Sequence, residues 1–370
     1  MNKHLSALFL FFIMSLPSLS ADRFRVIDNN NGLSDNSVNC IRQDENGFIW
    51  MGTANGLCRY DGLSFTTFRN NPADPTTIFN NNVRAMLSVR GGLWVSTNGA
   101  MLFYSFHDGV FHHVSAINSK GKQVQITSQM NSLISIGGNI VCANGNMYVK
   151  HGGDDKFSVL PYLVNSLCTY QDKYIVGVGT KGVFLFSKDG KRMIAGCKFN
   201  FNATAHASIY YSRNSGLVYV GNGIGQRSYV FRVIGNHIVP ADAYVPDNLM
   251  AVTDYRHNTV FGVDGGGIIE YAGGKKTQYT SSNSNLCGDA VYSLLADRGG
   301  NLWIGTYRAG VSQLSLKRNI FQMLNRKNGS IPYDIVTAVV PAAGSIYMGL
   351  DGGGLCIYDR HSGTSRTLTT

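Results

Sequence analysis

Apolar and polar positions along this chain alternate in short runs, and the runs come in sets of four. In the clearest set, residues 37–43 read as an extended run with Val38 and Ile41 apolar, and 44–47 (Asp-Glu-Asn-Gly) read as a turn. Residues 48–53 (Phe-Ile-Trp-Met-Gly-Thr) are almost unbroken apolar, as in a strand buried on both faces. A loop at 54–56 leads to a third strand at 57–60, Asp61-Gly62 makes a favourable hairpin turn, and 64–68 form a fourth strand. Runs this short, broken this regularly, predict strands and not helices.

The set recurs about every 44 residues. Eight units align on Trp50, Trp94, Ile140, Ile175, Tyr219, Val260, Trp303 and Tyr347, so all three tryptophans fall on one register. Four antiparallel strands in such a repeat are one blade of a β-propeller, and the predicted fold is all-β with four-stranded antiparallel blades. Near the end of the second strand a glycine recurs at Gly52, Gly177, Gly221, Gly262, Gly305 and Gly349. Its missing side chain would let the neighbouring sheet approach. Trp50, Trp94 and Trp303 would act as apolar wedges between blades. These positions are read as scaffold, not as a ligand cage.

Residues 24–32 (Phe-Arg-Val-Ile-Asp-Asn-Asn-Asn-Gly) resemble residues 321–329 (Phe-Gln-Met-Leu-Asn-Arg-Lys-Asn-Gly). Each is a short strand, an Asn-Gly loop and the start of a new first strand, which marks the entrance to a propeller. On this reading 22–28 supply the outer strand of blade seven and close the ring, leaving no free strand edge. The expected organisation is a signal peptide at 1–20, a seven-bladed propeller at 21–318, and the first blade of an incomplete second propeller at 319–370. The alternative is one eight-bladed ring with 365–369 as its last strand.

Composition fits short strands and tight turns, with 43 glycines and only 15% charged residues in 370. The first 20 residues have a basic start at Lys3, an apolar stretch from Ala7 to Met14 and small residues before Ala21, the pattern of a secretory signal. Seven cysteines lie far apart and form no C-x-x-C, so mostly buried thiols are expected, with one incidental bridge at most and no zinc site. No metal and no cofactor is expected. The net charge of +10 is scattered along the chain, which suits an anionic ligand or surface as well as simple solubility.

The segments 31–38 (Asn-Gly-Leu-Ser-Asp-Asn-Ser-Val) and 44–62 (Asp-Glu-Asn-Gly-Phe-Ile-Trp-Met-Gly-Thr-Ala-Asn-Gly-Leu-Cys-Arg-Tyr-Asp-Gly) resemble the two-component-regulator propeller repeat, and 297–310 and 350–358 fit it too. That repeat is typical of the periplasmic sensor regions of bacterial hybrid two-component systems. The resemblance implies a periplasmic sensor that recognises oligosaccharides released from glycans, with the membrane helix and histidine kinase beyond this stretch. For this stretch it implies ligand recognition without enzyme activity and an oligosaccharide as partner, taken as acidic because of the positive charge; a homodimer is a further partner left open. Contact with nucleic acid is not implied, and membrane attachment comes only through the missing C-terminal parts.

Two other classes stay open, a propeller lyase and a purely structural or dimerisation module. A lyase needs a convergent acid, base or nucleophile. Among the nine histidines only His112 and His113 are adjacent, and no H-E-x-x-H, G-x-S-x-G or phosphate-loop motif occurs. The Asp-Gly-Gly-Gly runs at 264–267 and 351–354 are read as turns. A recognition site needs only polar, aromatic and charged groups in a concave surface. The loops between second and third strands share one face of a propeller, which nominates Asn55, Asn98, Lys181, Arg227, Tyr307 and Arg308. Each alone reads equally as a solvated loop residue. Tyr307 and Arg308 stand out because they replace the small residues of that loop; tyrosine can stack on a sugar ring and arginine can fork onto an anionic group.

Overall fold

The computed structural model describes residues 24–199, 207–315, 324–326 and 329–369, so the expected signal peptide and parts of the second entrance segment lie outside the described residues. The chain divides into two compact units, Met1–Leu316 and Lys317–Thr370. Among the described residues no helix is long and apolar enough to cross a membrane.

The first unit is a propeller. Its seven sheets have inner strands at Val38–Gln43, Val83–Val89, Ser132–Ile136, Ser166–Tyr170, Ser208–Tyr211, Leu249–Tyr255 and Val291–Ala296. Each inner strand contacts the next, and the seventh contacts the first, so the cycle closes. In blade one the strands Val38–Gln43, Ile49–Thr53, Gly56–Tyr60 and Phe65–Phe68 fall within two residues of the sequence expectation. The eight aligned positions from Trp50 to Tyr347 all lie on second strands.

Blade seven is completed by the start of the chain. Arg25–Ile27 pairs antiparallel with the third strand, Val311–Leu314, as its fourth strand. Asn285 clamps the residue that leads into this strand, accepting from the Phe24 amide at 2.9 Å and donating to the Phe24 carbonyl at 2.6 Å. Blade three departs from the plan. A hairpin, Ser115–Ile117 with Gln123–Gln125, joins its outer edge through a parallel pairing of Ser115–Ile117 to Phe157–Leu160, giving six strands. An outer edge has free backbone groups and can accept strands without disturbing the ring.

Gly52, Gly221, Gly262 and Gly305 of the second strands face the next blade, whereas a Cβ on Gly177 would meet Val164 and, in its own blade, Leu167 and Phe186. A Cβ on Gly52 would lie 2.6 Å from the Cys40 sulfur and 2.6 Å from Cγ1 of Val83 in blade two. On Gly262 it would lie 2.7 Å from Cγ1 of Val291, and on Gly305 it would lie 2.9 Å from Cγ1 of Val38. Trp50 is buried among Leu93, Leu102 and Tyr104 of blade two, Trp94 against Phe157 of blade three, and Trp303 among Val38, Met51 and Tyr60 of blade one. Two of these wedges are also pinned at the indole nitrogen. Trp50 donates to Asp44 at 2.7 Å and Trp303 to Asp297 at 2.8 Å, each aspartate sitting in the turn before its strand. Blade two has Val89 at the matching place, which offers Trp94 no carboxylate.

The second unit is one four-stranded sheet with strands Val336–Ala342, Ser345–Leu350, Gly354–Asp359 and Ser365–Leu368. It buries Ile331, Met348, Leu350, Cys356 and Tyr358. All of Val336–Ala342 is exposed, and a Cβ on Gly349 would meet only Thr337 and Ala338 of its own sheet. All seven cysteines are free; five are buried, and Cys197 and Cys287 are half-buried.

Candidate functional site

The inner strands of a propeller line its axis, so a site there is built from one short segment per blade. Their registers divide the blades into two kinds. Four inner strands carry a β-bulge near their start, where Asn39, Arg84, Met250 and Tyr292 are each the extra residue opposite an unbroken second strand. The local pattern is the same each time: a buried Val or Leu, the extra residue, then a small residue (Cys40, Ala85, Ala251, Ser293). The small residue lies against the second strand while the buried Val or Leu packs towards the preceding blade, and the residue between them is turned out of the ladder. Blades three, four and five pair without a break from Ser132, Ser166 and Ser208.

The extra residues all line one cavity of about 420 Å³ at the end of the ring where inner strands begin. Tyr307 completes its wall from the loop between second and third strands of blade seven. Behind it a channel of about 500 Å³ follows the inner strands and is lined by Arg42, Arg84, Tyr210, Tyr211 and Asp254, with Ser132, Ser166 and Ser208 on the straight blades. The two cavities share Asn39, Arg84, Asn131, Ser208 and Tyr292, so they are mouth and shaft of one recess.

A ladder of aromatic and cationic groups descends into the mouth. The Arg308 guanidinium lies 4.7 Å from the Tyr307 ring centre, and Tyr307 stacks on Tyr292 at 5.4 Å with ring planes 12° apart. Arg308 holds a left-handed backbone, φ 66°, which sets its side chain back over its neighbour. Burial and the negative charge of Asp264 push the Tyr292 hydroxyl above the usual phenol range, while the Arg84 charge pulls the other way. Asn39 holds the wall in place by donating to the Val83 carbonyl at 2.8 Å and to Asn82 at 3.1 Å. Deeper, burial pushes the Cys40 thiol up to about 11 despite the opposing charges of Arg42 and Arg84. That thiol is a neutral lining atom and not a nucleophile.

Of the six loop residues nominated from sequence, Tyr307 lines the mouth, and Arg308 lies over its ring without lining the cavity itself. Asn55, Asn98, Lys181 and Arg227 are exposed on the corresponding loops of other blades and do not line the recess. Asn55 is engaged locally, accepting from Asn81 at its side chain and from Arg69 at its carbonyl, both at 3.4 Å. Sequence reasoning missed Asn39, Arg42, Arg84, Met250 and Tyr292. For all but Arg42 the signal was present as a variable residue between a buried Val or Leu and a small residue at the start of a bulged inner strand. Among the described residues no group of three or more His, Cys, Asp and Glu gathers to hold a metal.

Comparison with known proteins bears on the repeat and the fold. The two component regulator propeller family matches residues 32–55 and 285–308, the two segments that hold the Asp–Trp pins and the entries to blades one and seven. A stretch of 75 residues is 43% identical to histidine kinase P4 of Formosa agariphila, covering 19% of this chain and 5% of that protein. The structure is similar to the extracellular domain of a hybrid two component system from B. thetaiotaomicron, with TM-score 0.66 and 19% identity over 94% of this chain and 49% of that one. It is also similar to virginiamycin B lyase from Staphylococcus aureus, with TM-score 0.55 and 14% identity over 80% of this chain and all of the lyase. The chain thus spans about half of the extracellular domain it resembles and a small part of the kinase. This protein is a β-propeller that carries the two component regulator propeller repeat.

Proposed function

We propose that this chain is the exported, periplasmic ligand-recognition propeller of a hybrid two-component system, and that its ligand is an oligosaccharide released from a glycan. One observation carries the reading: the stacked Tyr292 and Tyr307 rings, with Arg308 over Tyr307 and Arg84 lining the same mouth, at the open end of the axial recess. A flat aromatic pair beside amide and guanidinium donors suits a sugar ring, whose apolar face stacks while its hydroxyls take hydrogen bonds. The matched repeat and the likeness to an extracellular sensor domain support the placement in a signalling system.

The test is calorimetry of a panel of acidic and neutral oligosaccharides against the wild type and a Tyr307→Ala, Arg308→Ala double variant. Binding to the wild type that drops about tenfold or more in the variant supports the reading. Binding untouched by the double substitution moves the site elsewhere. A lyase is the competing reading, favoured by the fold likeness to virginiamycin B lyase. The residues lining the recess that can titrate are Cys40, Arg42, Arg84, Cys168, Tyr210, Tyr211, Arg213, Asp254, Tyr292 and Tyr307, with no histidine. Turnover of a panel compound by purified protein would replace the sensor reading with the enzymatic one.

A further inference from the structure

We propose that the axial shaft is an anion site in which Arg42 and Arg84 together hold a carboxylate or sulfate group of whatever enters the mouth. The saccharide part of that ligand rests on the recognition reading; the anion site does not.

The two arginines come from adjacent inner strands, Arg42 from blade one and Arg84 from the bulge of blade two, and line the same shaft. Their charges reach across it. Arg42 acts on Tyr210 of blade five and Arg84 on Tyr292 of blade seven, and both act on Cys40. Among the described residues neither is in an ion pair; the ion pairs there are His112 with Asp108 and Arg213 with Asp172. Arg42 donates one bond at 2.8 Å to the Ile41 carbonyl, and Arg84 one long bond at 3.5 Å to Asn39. A guanidinium has five N–H donors, so at the wall of the shaft most of the donors of each have no protein acceptor.

One carboxylate lines the shaft, Asp254, and its oxygens are committed to blade five. It accepts from the Ser212 hydroxyl at 2.5 Å and from the backbone amides of Arg213 at 2.6 Å and Asn214 at 3.4 Å. Two like charges side by side in a partly enclosed recess repel each other, and a shared anion turns that repulsion into two charge-assisted contacts. Opposite them the straight blades present the hydroxyls of Ser166, Ser208 and Thr169. These can bond the remaining oxygens of a tetrahedral or planar anion. The planar fork of arginine fits both groups.

The experiment is calorimetry at low ionic strength on the chain as it stands, with inorganic sulfate, D-glucuronate and D-glucose as probes. Binding of sulfate or glucuronate, with glucose at least about tenfold weaker, is expected, and the tighter of the two anions identifies the preferred group. Arg42→Gln and Arg84→Gln should each weaken the anion about tenfold, and added salt should weaken it further. Lys181→Gln, a charge change on an exposed loop outside the recess, should leave it within about twofold. Anion binding that survives the Arg42→Gln, Arg84→Gln double substitution, or a wild type that binds neither anion, overturns the site. If one variant does not fold, the other variant and the salt titration decide the matter. Arginine-dependent sulfate binding without any oligosaccharide binding leaves the anion site standing and removes the sensor reading. Oligosaccharide binding indifferent to both arginines does the reverse.

Discussion

Blades one, two, six and seven bend at a bulge where blades three, four and five run straight, and the recess is lopsided as a result. Only the bulged side presents a guanidinium and a phenol at the mouth, whereas the straight side presents Met130, Asn131 and Ser208 there and Ser132, Ser166 and Thr169 deeper in the shaft. Both kinds keep the four strands of a blade, to which blade three adds its outer hairpin. A seven-fold scaffold is thereby made chemically one-sided by one extra residue in four strands, at little cost to the ladder because each bulge leaves a single residue unpaired.

The sharpest way to test this division is at the glycines. In straight blade five, a Cβ on Gly221 would run into the carbonyl oxygen of Leu249, which is backbone of the next blade. In bulged blade one, a Cβ on Gly52 would meet side-chain atoms of Cys40 and Val83, which can shift. Gly221→Ala should therefore cost about 3 kcal/mol and Gly52→Ala about 1–2 kcal/mol, read as the difference in urea midpoints at constant slope. Equal costs would mean that the blade interfaces do not differ between the two kinds.

A second contrast lies within the bulged blades. Blades one and seven pin their tryptophan to a turn aspartate, and blade two does not. Asp44 also accepts from the Asn46 amide at 2.9 Å and the Phe48 amide at 3.0 Å. Asp44→Ala would leave a buried indole N–H and two turn amides without their acceptor, a loss of about 2 kcal/mol. Val89→Ala at the matching site in blade two removes no hydrogen bond and trims only a half-buried side chain, so it should cost less, about 1 kcal/mol. Thermal melting of the two variants side by side checks this.

These particulars show what the sequence made legible. The second strands, their tryptophans and their glycines repeat because every blade must pack against the next, so repetition exposed the fold. Tyr307 and Arg308 were legible because they broke the repeat. The other half of the ladder, Tyr292 and Arg84, was not, because a bulge is a matter of pairing register and leaves no composition signal in any one strand. It emerges only when Val38-Asn39-Cys40, Val83-Arg84-Ala85, Leu249-Met250-Ala251 and Val291-Tyr292-Ser293 are set side by side. The added hairpin of blade three was illegible for another reason: it pairs with an outer edge, where no packing rule constrains the sequence.

The smallest effect concerns a feature that ignores the division. The turns after the third strand carry Asp61 in bulged blade one and Asp189 in straight blade four, and both carboxyls are held below their usual range. For Asp61 the cause is the backbone amides of Ser64 and Leu63, which donate at 2.7 and 2.8 Å, together with the Ser64 hydroxyl, and the value falls to about 2. For Asp189 it is first the Ser187 hydroxyl, which donates at 2.6 Å. A carboxyl whose pKa is lower folded than unfolded stabilises the fold above its unfolded value, near 3.8, and that contribution is lost as pH falls towards the folded one. The turns are exposed, so the loss should be small, and its window for Asp61 is pH 4 down to 2. Asp61→Ala and Asp189→Ala should each flatten the acid limb of the stability curve slightly, and the two effects should add, because the turns sit in separate blades without shared partners. A double variant whose acid limb departs from that sum would show that outer turns of bulged and straight blades communicate through the ring. Charge at the rim would then be coupled to the register of the inner strands, and the division at the axis would extend to the outer edge.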